Sequence, residues 1–245
     1  MPFRPIRSLK TNNKMSRTAV IIVAGGGGKR MGGTLPKQFR MLTTEPILCR
    51  TINRFHAALP EAQLIVVLPE AHIPFWENLK ARFEVARHQV VAGGEERFHS
   101  VKNGLKAVGY DVELVAVQDG VRPLASLEMI RRTEREAAEF GSAIPVIEAV
   151  DSYRMVEGEK SHIIDRRPLR IVQTPQMFRR AMLDEAYEQP FSPLFTDDAS
   201  VIEAMGEQLH LCAGERQNLK ITTPEDLVVA RAWIEAEEAP CEENK

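Results

Sequence analysis

The chain has 245 residues, 44% of them hydrophobic, which is enough for one large domain with a substantial core. The formal net charge of -2 argues against a protein that coats nucleic acid, and no apolar run is long enough for a membrane span. The three cysteines and six histidines are scattered without disulfide or metal-ligand spacing. This pattern predicts reduced thiols, a cytoplasmic location and no zinc site built by the protein.

The first 15 residues are basic and lack the apolar core of a secretory signal. Met15 lies directly before the first strand-like run, so we expect residues 1–15 to be a disordered leader or a misassigned start. A basic functional arm is the alternative. We expect one domain over residues 16–236 and a charged, frayed tail over 237–245.

Apolar, β-branched runs alternate with amphipathic segments along the first 150 residues. The strand-like runs are residues 18–23, 64–68, 89–92, 114–117 and 143–150. Helical spacing is found at 48–59, 74–83 and 101–108, and from a Ser126 cap onward. The alternation predicts an α/β fold with a Rossmann-like, mostly parallel sheet and helices on both faces. Ligands in such folds bind beyond the carboxyl ends of the strands.

Residues 151–167 interrupt this rhythm. They are polar, with a turn at Gly158, and they predict a β-hairpin arm that leaves the sheet. Beyond the arm, the pattern predicts strands at 169–173 and 209–212 and helices at 179–187 and 198–205. A last helix is predicted to begin at Pro224, because proline is favoured at the first helical position.

Four glycines follow the first strand. The run reads Ala24-Gly25-Gly26-Gly27-Gly28-Lys29-Arg30-Met31, and Pro36-Lys37 comes shortly after. Bare backbone and nearby cations are typical of a loop that approaches phosphate, although a flexible loop with solvated charges is the simpler alternative. The spacing fits neither the Rossmann fingerprint nor the Walker A loop.

Two further segments follow predicted strands. Asp119 and Arg122 are three residues apart at the end of the fourth strand, where Asp119 could bind a metal or a sugar hydroxyl and Arg122 a phosphate. A structural Asp–Arg pair is the alternative. Gly93-Gly94-Glu95 leads into the third helix, and alone it indicates no more than a strand-to-helix turn.

The glycine loop resembles the signature of nucleotidyltransferases, which reads roughly Ala-Gly-x-Gly-x-Arg-Met followed by Pro-Lys. Residues 117–123 resemble the Val-His-Asp-Ala-Ala-Arg-Pro motif of 2-C-methyl-D-erythritol 4-phosphate cytidylyltransferases, with Gln118 in place of the histidine. Five further segments follow the same family pattern in order: residues 93–100, 151–152 with 165–166, 173–176, 195–198 and 218–227. The resemblance covers about residues 19–227.

The resemblance implies transfer of CMP from CTP to 2-C-methyl-D-erythritol 4-phosphate with release of pyrophosphate, a step of isoprenoid precursor synthesis. Arg30 and Lys37 would stabilise the charge at the α-phosphate. Nucleotide contacts would come from Ala24, Gly25, Gly26, Gly94, Glu95, Ser100 and Lys220. Contacts to the polyol phosphate would come from Asp119, Arg122, Ser152, Arg166, Thr174, Thr196 and Lys220. The resemblance also implies Mg²⁺, whose protein ligands stay open, and a homodimer that exchanges its arms.

Three other functions are alternatives to this one. A ribitol-5-phosphate cytidylyltransferase would share the nucleotide half of the site. An NAD-dependent oxidoreductase is disfavoured because the third glycine of its fingerprint is missing. A non-catalytic nucleotide sensor is disfavoured because Arg30, Lys37, Asp119 and Lys220 are all present, and a sensor does not need cations for a transition state.

Overall fold

The computed structural model describes residues 17–26 and 35–238. In these ranges the strands are β1 (Thr18–Val23), β2 (Gln63–Leu68), β3 (Gln89–Ala92), β4 (Leu114–Asp119), β5 (Ser142–Glu148), β6 (Tyr153–Glu157), β7 (Lys160–Ile164), β8 (Arg170–Val172), β9 (Gln176–Arg179) and β10 (Leu211–Ala213). The helices are α1 (Ile47–Ala58), α2 (Ile73–Lys80), α3 (Arg97–Leu105), α4 (Leu127–Phe140), α5 (Arg180–Ala186), α6 (Asp198–Glu203) and α7 (Pro224–Glu238).

The main sheet has eight strands in the order β10-β5-β9-β4-β1-β2-β3, with β8 also paired to β5. The pairs among β3, β2, β1 and β4 are parallel, as is the pair of β5 with β10. Strand β9 lies between β4 and β5 and is antiparallel to both. The expected mostly parallel α/β sheet is therefore confirmed.

Side chains of the central strands alternate between two apolar layers, because successive residues of a strand point to opposite faces. Val20 and Ile22 pack with residues of α1, α2 and α4, whereas Ala19 and Ile21 pack with residues of α3, α5 and α6. A smaller cluster joins Ala230 and Ile234 of α7 to the loop after β4. Helices thus cover both faces of the sheet.

Local signals explain several helix ends. The Ser126 hydroxyl accepts a hydrogen bond from the Met129 amide and caps α4, and Gly141, with a φ of 92°, ends that helix. Asp197 caps α6 through a reciprocal capping box with Ser200. No described helix combines the length and hydrophobicity that a bilayer crossing requires.

Strands β6 and β7 form a separate two-stranded antiparallel sheet, which is the predicted arm. Several of its apolar side chains are exposed, including Val156 at 69% and Ile163 at 62%. A two-stranded ribbon buries too little apolar surface to be stable alone in water. The arm therefore leaves apolar side chains exposed within the described part of this chain.

Several predicted boundaries were wrong. Strand β9 was not predicted, because its sequence Gln-Met-Phe-Arg is short and half polar. Helix α3 ends at Leu105 and β5 ends at Glu148, both earlier than the periodicity indicated. Helix α7 runs to Glu238, past the expected start of the tail, and Arg54 on α1 hydrogen-bonds Glu237 at 2.7 Å. The leader and residues 239–245 lie outside the described residues.

Candidate active site

A cleft opens at the carboxyl ends of β1, β2, β3 and β4, where the parallel part of the sheet was expected to bind a ligand. Its described lining residues are Val23, Ala24, Gly25, Gly26, Lys37, Gln38, Pro69, Gly93, Gly94, Glu95, Glu96, Arg97, Ser100, Asp119, Val121 and Lys220. Eight of the predicted nucleotide and catalytic residues thus share one cleft with Asp119. Arg30 lies outside the described residues.

The segment after β1 lies in the floor of the cleft. The Ala24 carbonyl accepts a hydrogen bond from Gln38 Nε2 at 2.8 Å, which ties this segment to the short helical turn Lys37–Phe39. A Cβ on Gly26 would stand 3.4 Å from Lys37 Cε, so the lysine stem lies directly over bare backbone. Lys37 itself is only 9% exposed. A phosphate on this backbone would also meet the Lys37 cation.

The turn between β3 and α3 forms the opposite wall. The Gly94 amide donates to Ser100 Oγ at 3.1 Å, so the hydroxyl fixes the turn at the start of α3. A Cβ on Gly94 would stand 2.4 Å from His99 Cβ, which is too close for two carbon atoms that are not bonded. Glu95 lies at the same turn and lines the cleft. Glycine is therefore required at position 94 for close packing of the turn on α3.

The Asp119 carboxylate lies among three cations. Its Oδ2 is 3.0 Å from Lys220 Nζ and 3.3 Å from Arg122 Nε, and its Oδ1 is 4.0 Å from Arg97 Nε. Burial by itself would raise the pKa of Asp119, but attraction by these cations outweighs burial and lowers that pKa. Burial also lowers the pKa of Arg122, against the opposing effect of Asp119. The cluster holds an ionised carboxylate and a net positive charge.

Hydrogen bonds from the segment between β8 and β9 and from the loop before Lys220 position this cluster. The Asp119 amide donates to Thr174 Oγ1 at 3.1 Å, and Asn218 Nδ2 donates to the Thr174 carbonyl at 2.8 Å. Arg122 donates to the Asn218 carbonyl at 2.7 Å. Gln118 Nε2 donates to the Arg122 carbonyl at 3.1 Å, so this amide closes the Asp119 turn without an imidazole. Arg122 and Thr174 therefore join the site behind the cleft surface.

Arg97 and Asp198 are functional candidates that the sequence analysis did not select. Arg97 lines the cleft and makes a bidentate pair with the fully buried Asp198. Arg97 stands within the motif at residues 93–100, which was the signal that could have identified it. Asp198 likewise stands within the motif at residues 195–198, but adjacent acids at a helix start are common and did not single it out. Asp197 caps α6, and Asp198 is the first residue of that helix.

Three predicted substrate residues belong neither to the lining of this cleft nor to the hydrogen bonds around Asp119. Ser152 is exposed at the base of the arm, and Arg166, beyond β7, donates to the Val150 carbonyl. Thr196 is exposed two residues before α6, where its amide donates to Ser200 Oγ. Within the described part of one chain, Ser152 and Arg166 are held on the arm and Thr196 on the α6 loop.

The described residues contain no group of three His, Cys, Asp or Glu side chains that could hold a metal ion. Asp119 is nevertheless a buried carboxylate in the cleft. Its Oδ1 is 4.0 Å from Arg97 Nε, whereas its Oδ2 is 3.0 Å from Lys220 Nζ. Mg²⁺ commonly binds one or two carboxylates together with substrate phosphates and water. The residues present therefore fit a Mg²⁺ ion carried by a nucleotide, and not a cage built by protein alone.

The geometry of the site indicates the class of enzyme. Bare glycine backbone at the end of a parallel strand, a buried lysine over it and a carboxylate among cations are the parts of an α/β nucleotidyltransferase. Residues 18–236 match the family model for 2-C-methyl-D-erythritol 4-phosphate cytidylyltransferase, and the chain belongs to that family.

Named relatives agree with this assignment. The chain is 48% identical over 222 residues to the 2-C-methyl-D-erythritol 4-phosphate cytidylyltransferase of Bacteroides fragilis, covering 90% of this chain and 100% of the relative. The protein of that name from Geobacillus kaustophilus is 37% identical over 218 residues, covering 87% of this chain and 95% of the relative. The crystal structure of the protein of that name from Thermus thermophilus has a TM-score of 0.71 at 30% identity, covering 89% and 98% of the two chains.

Proposed function

We propose that the cleft binds CTP between the glycine segment after β1 and the turn at Gly93–Gly94, and that the Asp119 cluster receives the polyol phosphate beside it. The chain is a nucleotidyltransferase that transfers the cytidylyl group from CTP to 2-C-methyl-D-erythritol 4-phosphate, in isoprenoid precursor synthesis. The family match favours this acceptor over ribitol 5-phosphate. The observation that carries the site assignment is Asp119 with Lys220 at 3.0 Å, in the same cleft as Lys37 and the glycines.

The chemistry needs positioning and charge more than proton transfer. A phosphate oxygen of the acceptor attacks the α-phosphorus of CTP, a new P–O bond forms, and the bond to the β-phosphate breaks to release pyrophosphate. The attacking oxygen is already anionic, so no general base is required. The protein's contribution is alignment of two anions and stabilisation of the charge that develops between them.

Each cation is proposed to have a role that follows from its position in the site. Lys37 lies against the glycine segment, and together with Arg30 it is proposed to stabilise the α-phosphate during transfer. Lys220 lies between the nucleotide and acceptor sides and is proposed to contact both. Arg122, already hydrogen-bonded to Asn218 and Asp119, maintains the cluster and attracts the acceptor phosphate.

Asp119 has two different oxygens. Oδ2 takes the short contacts with Lys220 and Arg122, whereas Oδ1 faces Arg97 at 4.0 Å. We therefore propose that Oδ1 accepts a hydroxyl of the polyol or binds the Mg²⁺ that accompanies CTP. Bound Mg²⁺ would neutralise phosphate charge and polarise the α-phosphate. We also propose a cytoplasmic location, which two buried free thiols, Cys49 and Cys212, support.

We propose that the arm completes the acceptor site of a second copy in a homodimer. Ser152 and Arg166 lie on or next to the arm and do not line their own chain's cleft. The exposed apolar side chains of the arm would be buried in such an exchange.

Pyrophosphate release with CTP and a panel of polyol phosphates tests the reaction. We expect turnover with 2-C-methyl-D-erythritol 4-phosphate and a clear preference for CTP over the other three nucleoside triphosphates. Equal turnover of ribitol 5-phosphate, or of UTP, would contradict the proposed specificity.

Subunit exchange tests the arm. Lys37→Ala and Arg166→Ala proteins, each inactive alone, should recover about a quarter of wild-type activity when mixed equally, because half the dimers would carry one intact site of two. Verified exchange without recovery would show that Arg166 serves its own subunit.

A further inference from the structure

Arg97 is held between two carboxylates at the edge of the cleft. Its two terminal nitrogens donate to the two oxygens of Asp198 at 2.8 and 2.6 Å, and its Nε lies 4.0 Å from Asp119. The Arg97 side chain is 27% exposed, on the side that lines the cleft. The guanidinium therefore faces buried charge on one side and the ligand space on the other.

Asp198 is fully buried and has a second donor. The Tyr187 hydroxyl donates to Asp198 Oδ1 at 2.6 Å, so both carboxylate oxygens are occupied. Burial would lower the pKa of Arg97, but Asp198 outweighs it and raises that pKa, which keeps the guanidinium charged. Burial, followed by the Asp198 charge, raises the pKa of Tyr187, so the phenol stays a donor at neutral pH.

This cluster joins three elements around the site. Arg97 is the first residue of α3, three residues after Gly94, and Tyr187 follows the last residue of α5. Asp198 begins α6, two residues after Thr196. Phe98 stacks on Tyr187 with ring centroids 4.8 Å apart, which restricts the same junction further.

Stability alone does not account for the pair. A buried ion pair commonly contributes no more than apolar residues of similar volume would, because both charges must be desolvated. The bidentate geometry instead fixes where the guanidinium lies and in which plane. The pair therefore holds the Arg97 cation in one position between the Gly93–Gly94 turn and Asp119.

We propose that Asp198 is a positioning residue: through its bidentate pair it fixes Arg97 against Asp119 and thereby sets the nucleotide turn relative to the Thr196 loop. This inference rests on the proposed function of the cleft. Arg97 is the residue that meets the ligand, and Asp198 acts through it.

The first test is Asp198→Asn, which keeps the side-chain shape and removes the charge. We expect kcat/KM for pyrophosphate release to fall on the order of 10²-fold, the scale for misplacement of a site group by about 1 Å. Asp184→Asn removes the acid of a partly exposed pair outside the cleft, Arg180 Nε to Asp184 at 3.0 Å, and should leave kcat/KM within about twofold of wild type. An Asp198→Asn protein that is folded and has wild-type kcat/KM would overturn the proposal.

The second test separates positioning from stability. The double variant Arg97→Met with Asp198→Leu replaces the ion pair by apolar volume, so it should fold even if Asp198→Asn does not. We expect its melting temperature to stay near wild type while kcat/KM stays at least about tenfold lower. Wild-type kcat/KM in this variant would show that the pair is only structural and would overturn the proposal.

Arg97→Lys keeps a cation beside Asp198 and loses the bidentate fork. It should lower kcat/KM by about tenfold or more with little loss of stability, and wild-type values would again overturn the proposal. Calorimetric titration of wild type with CTP keeps the two proposals apart. If wild type binds CTP but releases no pyrophosphate with the expected acceptor, the proposed function fails; if wild type turns over and the Asp198 variants do so equally, only the positioning role fails.

Discussion

Replacement of Gly25 by alanine separates the needs of the fold from the needs of the ligand. A Cβ built on Gly25 meets no described atom within 4 Å, and the residue does not have a positive φ. The alanine backbone is therefore compatible with this conformation, and it reduces the freedom of the unfolded chain. We therefore expect the free enzyme to tolerate Gly25→Ala, and we expect the added methyl group to interfere with the proposed triphosphate.

The expected magnitudes follow from this geometry. A compatible Gly→Ala change adds about 0.4–1 kcal/mol to the free energy of unfolding. In a chain of this size that raises the melting temperature by about 1–4 °C. If the methyl group displaces the phosphate from one backbone amide, the loss of a charge-assisted hydrogen bond costs about 1.5–3 kcal/mol. The Kd for CTP should then rise between about 10-fold and about 150-fold.

The assay pairs thermal unfolding with calorimetric titration of CTP, and Gly94→Ala provides the contrast. A Cβ at Gly94 would stand 2.4 Å from His99 Cβ, so that turn must move and both stability and CTP binding should fall. For Gly25→Ala, stability should be kept and binding alone lost. A folded Gly25→Ala protein with wild-type CTP affinity would refute the close approach of phosphate to this backbone.

Three further predictions concern a cation, a carboxylate and the leader. Lys37→Ala should lower kcat by about 10²-fold or more in steady-state assays, whereas a raised KM with unchanged kcat would show uniform substrate binding. Asp119→Asn should reduce the free energy of unfolding by about 3–5 kcal/mol at neutral pH. The pKa of Asp119 in the folded protein is lowered from 3.8, so the difference in unfolding free energy between wild type and Asp119→Asn should shrink as pH falls below that value. Denaturant titrations at several pH values measure this difference. A difference that does not change with pH would contradict an ionised Asp119. A chain that starts at Met15 should keep its activity and melting temperature, and a drop of several degrees would show that the leader packs on the fold.

Sequence periodicity predicted the parallel part of the sheet well. The β-branched runs of β1, β2 and β4 are buried on both faces, so their composition is almost continuously apolar and easy to identify. Strand β9 has no such signal. Its four residues become a strand only because the gap between β4 and β5 supplies hydrogen-bond partners on both sides. That information lies in the tertiary structure and not in the local sequence.

The site also combines residues that the sequence indicated with residues that only the fold brings together. Glycine turns and strand-end charges are local features, and the family resemblance assigned Gly94, Lys37 and Asp119 to one site; the structure brings these three residues together in one cleft. The pair of Arg97 with Asp198 joins residues 101 positions apart, and only packing of α3 against α6 creates it. Two adjacent acids at the start of a helix predict a cap, but they do not show which of the two side chains is buried. Residue type therefore indicated the chemistry, and topology supplied the partners.

The placement of β9 also has a consequence for the order in which the chain folds. Strands β3, β2, β1 and β4 can pair among themselves once residue 119 has been made, and β5 can later pair with β10. In the described sheet these two groups meet only through β9, whose partners include Leu114 opposite Arg179. A nascent chain must therefore complete the whole arm before the sheet can close. Closure through so distant a contact is slow, and until then the facing edges of β4 and β5 stay open to pairing with other chains.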